Sequence, residues 1–167
     1  MKSAIYLRQP QLKDCAVFLK AVAGSRALHR PWINAPATAA DFQAYVKRMA
    51  QPANHAYLVC RRDTGAITGV INLTNVVMGA FRSGYLGYYA FAGQERRGFM
   101  RAGLKAVTAQ AFGTLKLHRL EANIQPRNRA SIALARDCGF KLEGYSPRYL
   151  KIGGRWRDHE RWAILAS

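Results

Sequence analysis

Residues 94–107 read QERRGFMRAGLKAV, and how this stretch is read decides the fold. Arg96 and Arg97 stand against Gly98, and from there apolar residues recur at Met100, Leu104, Val107, Ala111 and Leu115. That spacing is one face of a helix packed on a sheet. A helix opening at Gly98 leaves backbone N–H groups without partners at the positive end of its dipole. Glycine lets an anion approach the backbone, and Arg96, Arg97 and Arg101 add guanidinium forks that match phosphate oxygens. The same residues also suit a plain basic surface turn, so the junction alone leaves both readings open.

On the N-terminal side, "IYLRQP" predicts a short first strand, and "DCAVFLKAV" and "TAADFQAYVKRMA" predict helices. Thr38 is the expected N-cap of the second helix, with Pro52 just past its end. The stretches "AYLVCRR", "AITGVINLTNVV" and "YLGYYAFA" read as strands, with "DTG" turning between the first two. On the C-terminal side come a strand, "HRLEANI", and a capped helix in "PRNRASIALARDCGF". Asn128 is its expected N-cap; Ala130, Ala133, Leu134 and Cys138 share a face, and Gly139 ends it with positive φ. "FKLEGYSPRYLKI", a Gly153-Gly154 turn and "RWRDHERWAIL" close as a hairpin. Three strands, a helix, a strand, a helix and a terminal hairpin predict a mixed α/β (α+β) domain, single over residues 1–167.

A chain of 167 residues, half hydrophobic and 21% charged, is long and apolar enough to bury a core. No apolar run reaches the roughly 18 residues that span a bilayer, and the first residues are too polar for a secretion signal. Cys15, Cys60 and Cys138 are odd in number and lack metal-ligand spacing, which predicts reduced core thiols and a cytoplasmic setting. His29, His55, His118 and His159 lack ligand spacing too, so no metal is expected. Twenty-six Lys and Arg against nine Asp and Glu give a net charge of +17. Such a field draws in nucleic acid, ribosome surfaces or phosphorylated cofactors and repels polycationic small molecules.

Familiar phosphate motifs are missing: the chain has neither G-x-x-x-x-G-K-[ST] nor G-x-G-x-x-G. Arg97-Gly98-Phe99 matches the start of an RNA-recognition-motif signature, but the helical period that follows removes the stacking strand this motif needs. The "GGRWRDHERW" stretch alternates basic and aromatic residues, as a nucleic-acid surface does. A hairpin with one wet face explains it more cheaply.

In their order and spacing, "LGYYAFAGQERRGFMRAGL", "LHRLEANIQPRNRASIALARDCGFKLEGY" and "YLKIGGRWRDHERWAI" resemble the GNAT acetyltransferases, and within them the ribosomal-protein alanine N-acetyltransferase group. "LHRPWINAPATAADFQAYV" is similar to that group's helical substrate-side segment, and Trp32 within it is either a wall of the acceptor pocket or a core residue. The resemblance implies a mostly antiparallel central sheet, splayed between the fourth and fifth strands and flanked by helices, with acetyl-coenzyme A (acetyl-CoA) as cofactor. It also turns the opening junction into a pyrophosphate cradle. The family's Q/R-x-x-G-x-G/A loop falls on Glu95, Arg96, Arg97, Gly98, Phe99 and Met100. Three positions depart from it: Glu95 replaces Gln or Arg, Arg96 stands where Gly is frequent, and Met100 fills the last small position. Glu95 would repel a pyrophosphate, so its side chain is expected to point away. Tyr89, Ala90 and Phe91 match the splayed strand whose backbone pairs with the pantetheine arm and polarises the thioester carbonyl. Asn128 matches a cofactor-contacting asparagine, a role compatible with capping its helix.

Acetyl transfer needs a neutral nitrogen, a polarised carbonyl and a proton for the departing thiolate. An α-amine, with a pKa of about 8, demands far less of a base than lysine at about 10.4. Glu121 is the carboxylate candidate for that base, or else a structural partner of a neighbouring arginine. The family's frequent tyrosine acid falls on Ala135 here, which leaves Ser131 to protonate or hydrogen-bond the thiolate, or simply to sit in the first turn of its helix. Arg148-Tyr149 stands where some relatives carry a carboxylate before a tyrosine. The expected function is acetylation of a protein N-terminal amine, with a ribosomal protein or the ribosome as possible partner. Acetylation of a small amine, such as an antibiotic or metabolite, and non-catalytic RNA or ribosome binding on the same fold are the alternatives.

Overall fold

The computed structural model describes residues 3–167. Seven strands form one sheet: β1 (Ile5–Arg8), β2 (His55–Arg61), β3 (Ile67–Val77), β4 (Ser83–Ala90), β5 (Arg119–Ile124), β6 (Lys141–Ile152) and β7 (Arg155–Leu165), in the order β1-β2-β3-β4-β5-β7-β6. Every neighbouring pair is antiparallel except β4–β5. The helices are α1 (Cys15–Gly24), α2 (Arg26–His29), α3 (Ala39–Met49), α4 (Phe99–Gly113) and α5 (Arg129–Asp137). This is the mixed, mostly antiparallel architecture expected from the sequence.

Alternation along the strands divides the interior in two. Val59, Ile71, Leu73, Leu86, Leu120 and Trp162 face Leu104, Val107 and Ala111 of α4. Their neighbours Leu58, Cys60 and Val70 face the other way, against Phe18 of α1 and Phe42 and Tyr45 of α3. Thr38 caps α3 through its hydroxyl, which accepts from the Asp41 N–H at 3.1 Å. The helical pattern from Gly98 is real but stops at Gly113, so Leu115 lies past α4.

Two local expectations need correction, and one helix carried no expectation. α2 is a single turn with no periodic signal of its own. β4 ends at Ala90, so Phe91 lies outside the strand, although it stays buried and its N–H donates to the Thr68 carbonyl at 2.9 Å. In α5, Ala130 and Ala133 are exposed and the buried side is Ile132, Ala135 and Cys138. Alanine fits either side of a helix, so the pattern could not tell them apart; packing on β5 and β7 chose.

β4 and β5 pair only from Ser83↔Arg119 to Leu86↔Ala122, although both strands run on to Ala90 and Ile124. The ladder therefore opens past Leu86, and the sheet splays where parallel strands part.

Candidate active site

The splay forms a crevice with α4 at one end. Gly98 precedes α4 with φ +78°, a conformation that only glycine adopts without strain, and nothing lies within 4 Å of where a side chain would project. The first hydrogen bond of the helix runs from the Ala102 N–H to the Gly98 carbonyl, at 3.0 Å. The amides of Gly98, Phe99, Met100 and Arg101 therefore precede any intrahelical acceptor and can hold an anion. Arg96, with φ +60°, and Arg97 are exposed beside them. The Arg97 and Arg61 guanidinium groups lie 5.8 Å and 5.5 Å from the Phe99 ring centre, which keeps that ring between two cations. Glu95 is exposed. Met100, large where a small residue was expected, finds its space over Gly69 on β3: a Cβ there would collide with the Met100 sulfur and come within 2.6 Å of the Tyr89 carbonyl.

The middle of the crevice is the free edge of β4. The Phe91 N–H points to β3, so by strand alternation Tyr89 also turns its backbone there, while Tyr88 and Ala90 turn theirs toward the opening. Of the three residues expected to present backbone to a pantetheine arm, only Ala90 turns its N–H to the opening, as does Tyr88, while the Ala90 carbonyl is taken by His29. Two N-terminal side chains hold this edge in place. His29 of α2 bonds the Ala90 carbonyl through Nε2 at 2.8 Å, and Ser25 Oγ accepts from the Ala92 N–H at 2.8 Å. A carbonyl only accepts, so Nε2 carries the proton, and burial holds the His29 pKa below the ordinary histidine value.

The inner end is a cleft of about 70 Å³ lined by Trp32, Leu86, Tyr88, Asn123, Gln125, Asn128, Ser131 and His159, among others. Asn128 caps α5, accepting from the Ser131 N–H through Oδ1 at 3.2 Å. The Tyr88 hydroxyl, its pKa pushed up to about 12 by burial, donates to the Ser131 carbonyl at 3.1 Å and ties α5 to β4 across the splay. Gln125 Nε2 donates to the carbonyls of Pro31 and Trp32 at 3.2 Å and 3.3 Å, so the loop after α2 forms one wall. Asn123 Oδ1 is buried and has no partner among the described residues.

The structure thus places Ser131 and Asn128 in one cleft and sets the β4 edge beside it, with Met100 of α4 next to Tyr89. Glu121 is not among the residues lining the cleft. Its carboxylate accepts from Arg119 Nε at 2.7 Å, and Arg119 also pairs with Glu143, whose carboxyl it holds below the usual range. Tyr88, Asn123, Gln125 and His159 escaped the sequence reading. Only the position of Asn123, alternating on the strand that carries Glu121, offered a signal. The others meet through pairings more than 30 residues apart. Among the described residues no His/Cys/Asp/Glu group could hold a metal ion, and no helix is long and apolar enough to cross a membrane.

A splayed parallel pair, a free β4 edge and a basic helix start give an opening whose amides and cations suit a phosphorylated cofactor. Residues 4–141 match the acetyltransferase (GNAT) domain model, and the chain belongs to the GNAT acetyltransferase family, whose members use acetyl-CoA. The [ribosomal protein uS5]-alanine N-acetyltransferase of Escherichia coli is 41% identical over 102 residues, 61% of this chain and 53% of that protein. The match thus spans about half of that relative's length. A probable N-acetyltransferase of Bacillus subtilis, YjcK, is 31% identical over 72% of this chain and 67% of its own length. Mycobacterium smegmatis RimJ, solved in complex with CoA-disulfide, superposes with a TM-score of 0.90 at 25% identity, covering 97% of this chain and 82% of that one. Spermidine N-acetyltransferase from Vibrio cholerae, solved with CoA and spermine, shares the fold at a TM-score of 0.83 and 22% identity, over 98% and 96% of the two chains.

Proposed function

We propose that this chain is a cytoplasmic, single-domain enzyme that transfers the acetyl group of acetyl-CoA to a primary amine, with a protein N-terminal α-amine as acceptor and a ribosomal protein as the favoured source. The observation that carries the reading is the succession of free amides at Gly98, Met100 set beside Tyr89 over Gly69, and the Tyr88–Ser131 bond at the polar cleft. Acetyl-CoA fits it chemically: the anion meets amides and the arginines at 96, 97 and 101, and the arm meets unpaired strand. When bound, it supplies the activated acyl group. Backbone N–H groups at Tyr88 and Ala90 would polarise its carbonyl. Ser131 would hydrogen-bond or protonate the departing sulfur, and Asn128 would hold the start of α5 against the cofactor. A cleft of about 70 Å³ suits a small first residue, and the +17 charge suits an acceptor carried on a polyanionic particle.

The test is release of free thiol from acetyl-CoA with Ala- and Ser-initiated peptides, a ribosomal particle, and small amines including spermidine. Turnover with peptide or particle, and little with small amines, is expected. Turnover confined to small amines would overturn the acceptor assignment. No thiol release with any amine, together with tight salt-sensitive RNA binding, would favour a binding protein on this fold. With the ribosomal particle, KM should rise steeply with salt, because exposed charges are screened within about 8 Å and a contact of many charges loses the most.

A further inference from the structure

We propose that His159 is the catalytic base of this site: its Nε2 takes the proton from the acceptor nitrogen, while Asn123 Oδ1 receives another N–H of the same amine. The inference rests on the acetyl-transfer reading above and assigns the proton path within it. His159 lies on β7, is 3% exposed, and lines the same cleft as Asn123, Gln125 and Ser131. Asn123 is the register partner of Arg161, and His159 lies two residues from Arg161. Both side chains therefore belong to one face of the sheet.

The hydrogen bonding decides which ring nitrogen can act. His159 Nδ1 sits 2.9 Å from the Arg157 carbonyl, which can only accept. In the neutral ring the proton is therefore on Nδ1, and Nε2 keeps its lone pair. Nε2 has no protein partner among the described residues. The groups facing the ring favour the neutral form. Burial lowers its pKa, outweighing the Arg157 carbonyl and the Asp158 charge. Asp158 is already engaged, by the Tyr145 hydroxyl and by the Arg148 N–H at 2.8 Å. On the β6 side the neighbour is Tyr149, its ring centre 6.3 Å away, and along β7 it is the Arg161 cation. Across the cleft stands Tyr88, protonated at physiological pH. A neutral imidazole with a free Nε2, beside a buried acceptor oxygen that lacks a donor, matches a group that brings N–H bonds and must lose one proton.

The step balances without a co-reactant. The acceptor nitrogen forms a bond to the thioester carbonyl carbon and gives a proton to His159 Nε2. The C–S bond breaks, the sulfur leaves with the electron pair and takes up a proton, and the imidazolium returns its own to solvent. Electrons and protons are conserved, and the acid and base roles fall on opposite walls of the cleft, Ser131 and His159.

His159→Asn tests this directly, because the asparagine amide can still donate to the Arg157 carbonyl. With acetyl-CoA affinity and melting temperature as wild type, kcat should fall about 100-fold or more. The acid limb of the wild-type kcat profile, with a midpoint below the ordinary histidine value of about 6.5, should disappear. A kcat within about threefold of wild type would overturn the proposal. So would an acid limb that survives in His159→Asn and vanishes in Glu121→Gln, which would assign the base to the carboxylate. If His159→Asn misfolds, nitrogen-15 NMR of the wild-type ring decides. The Nδ1–H tautomer, titrating at the midpoint of the acid limb, supports the assignment; an Nε2–H tautomer or a different midpoint removes it. Absence of wild-type turnover would be a failure of the acetyl-transfer reading and would leave the tautomer measurement to speak for the ring.

Discussion

At the Gln94–Arg101 end of the crevice, the groups offered to a ligand are backbone amides and exposed guanidinium groups from one continuous stretch. At the inner end, they are buried and half-buried side chains from β4, β5, the start of α5 and β7, with a wall supplied by the loop after α2. The first kind of site tolerates departures in sequence. Arg96 adopts positive φ where glycine is frequent, and Met100 is absorbed by the absence of a side chain at Gly69. The second kind does not tolerate them in the same way. Removing one partner there strands another in a dry place, where an unmet polar group costs about 1–3 kcal/mol.

The sharpest break of this comparison is Gly98→Asp. It places a side chain and a negative charge where the proposed cradle would hold the anion and strains a φ of +78°. Calorimetry should find acetyl-CoA binding weakened beyond about 100-fold, with the cleft untouched. Unchanged affinity would mean that the cradle lies elsewhere.

Tyr88→Phe probes the inner end. Loss of the hydroxyl that bonds the Ser131 carbonyl should cost about 1 kcal/mol of stability. It should lower kcat about tenfold by loosening α5, with acetyl-CoA affinity within about twofold of wild type. Equal losses in kcat and cofactor affinity would show that the two ends are not separable.

Arg97→Ala should be milder, weakening acetyl-CoA binding about three- to tenfold, because an exposed charge is screened and the amides remain. A loss as large as that of Gly98→Asp would transfer the main role from backbone to side chain.

The smallest expected effect is on stability against pH. Burial holds His29, His55 and His159 below the ordinary histidine pKa in the folded chain. The unfolded chain therefore binds protons first as the pH falls. Stability is full above the unfolded value of about 6.5 and declines below it toward the folded values. The melting temperature should drop by a few degrees between about pH 7 and pH 5.5. His29→Gln should flatten that slope, since glutamine can donate to the Ala90 carbonyl without titrating.

Much of the fold was legible because its signals are local. The α4 period, the Thr38 and Asn128 caps and the Gly153-Gly154 turn each act through neighbours a few residues away. The faint elements were those without a local signal: the single turn of α2, the end of β4 before Phe91, and the buried side of alanine-rich α5. Glu121 shows the same limit within the site. Its place on β5 and its pairing with the neighbouring Arg119 could be read from the chain, but Arg119's engagement with Glu143 of β6 depended on how distant strands came together.

By itself the sequence determined a basic mixed α/β chain with GNAT-like order, a helix opening at Gly98 behind basic residues and a helix capped by Asn128. Each of these rests on backbone geometry that a few adjacent residues impose. Only the tertiary structure decided where the β4–β5 ladder opens, that His29 braces the β4 edge, and that Asn123, Ser131 and His159 share one cleft. Those side chains meet across strand pairings and a splay, and a contact of that kind has no period or spacing along the chain to announce it.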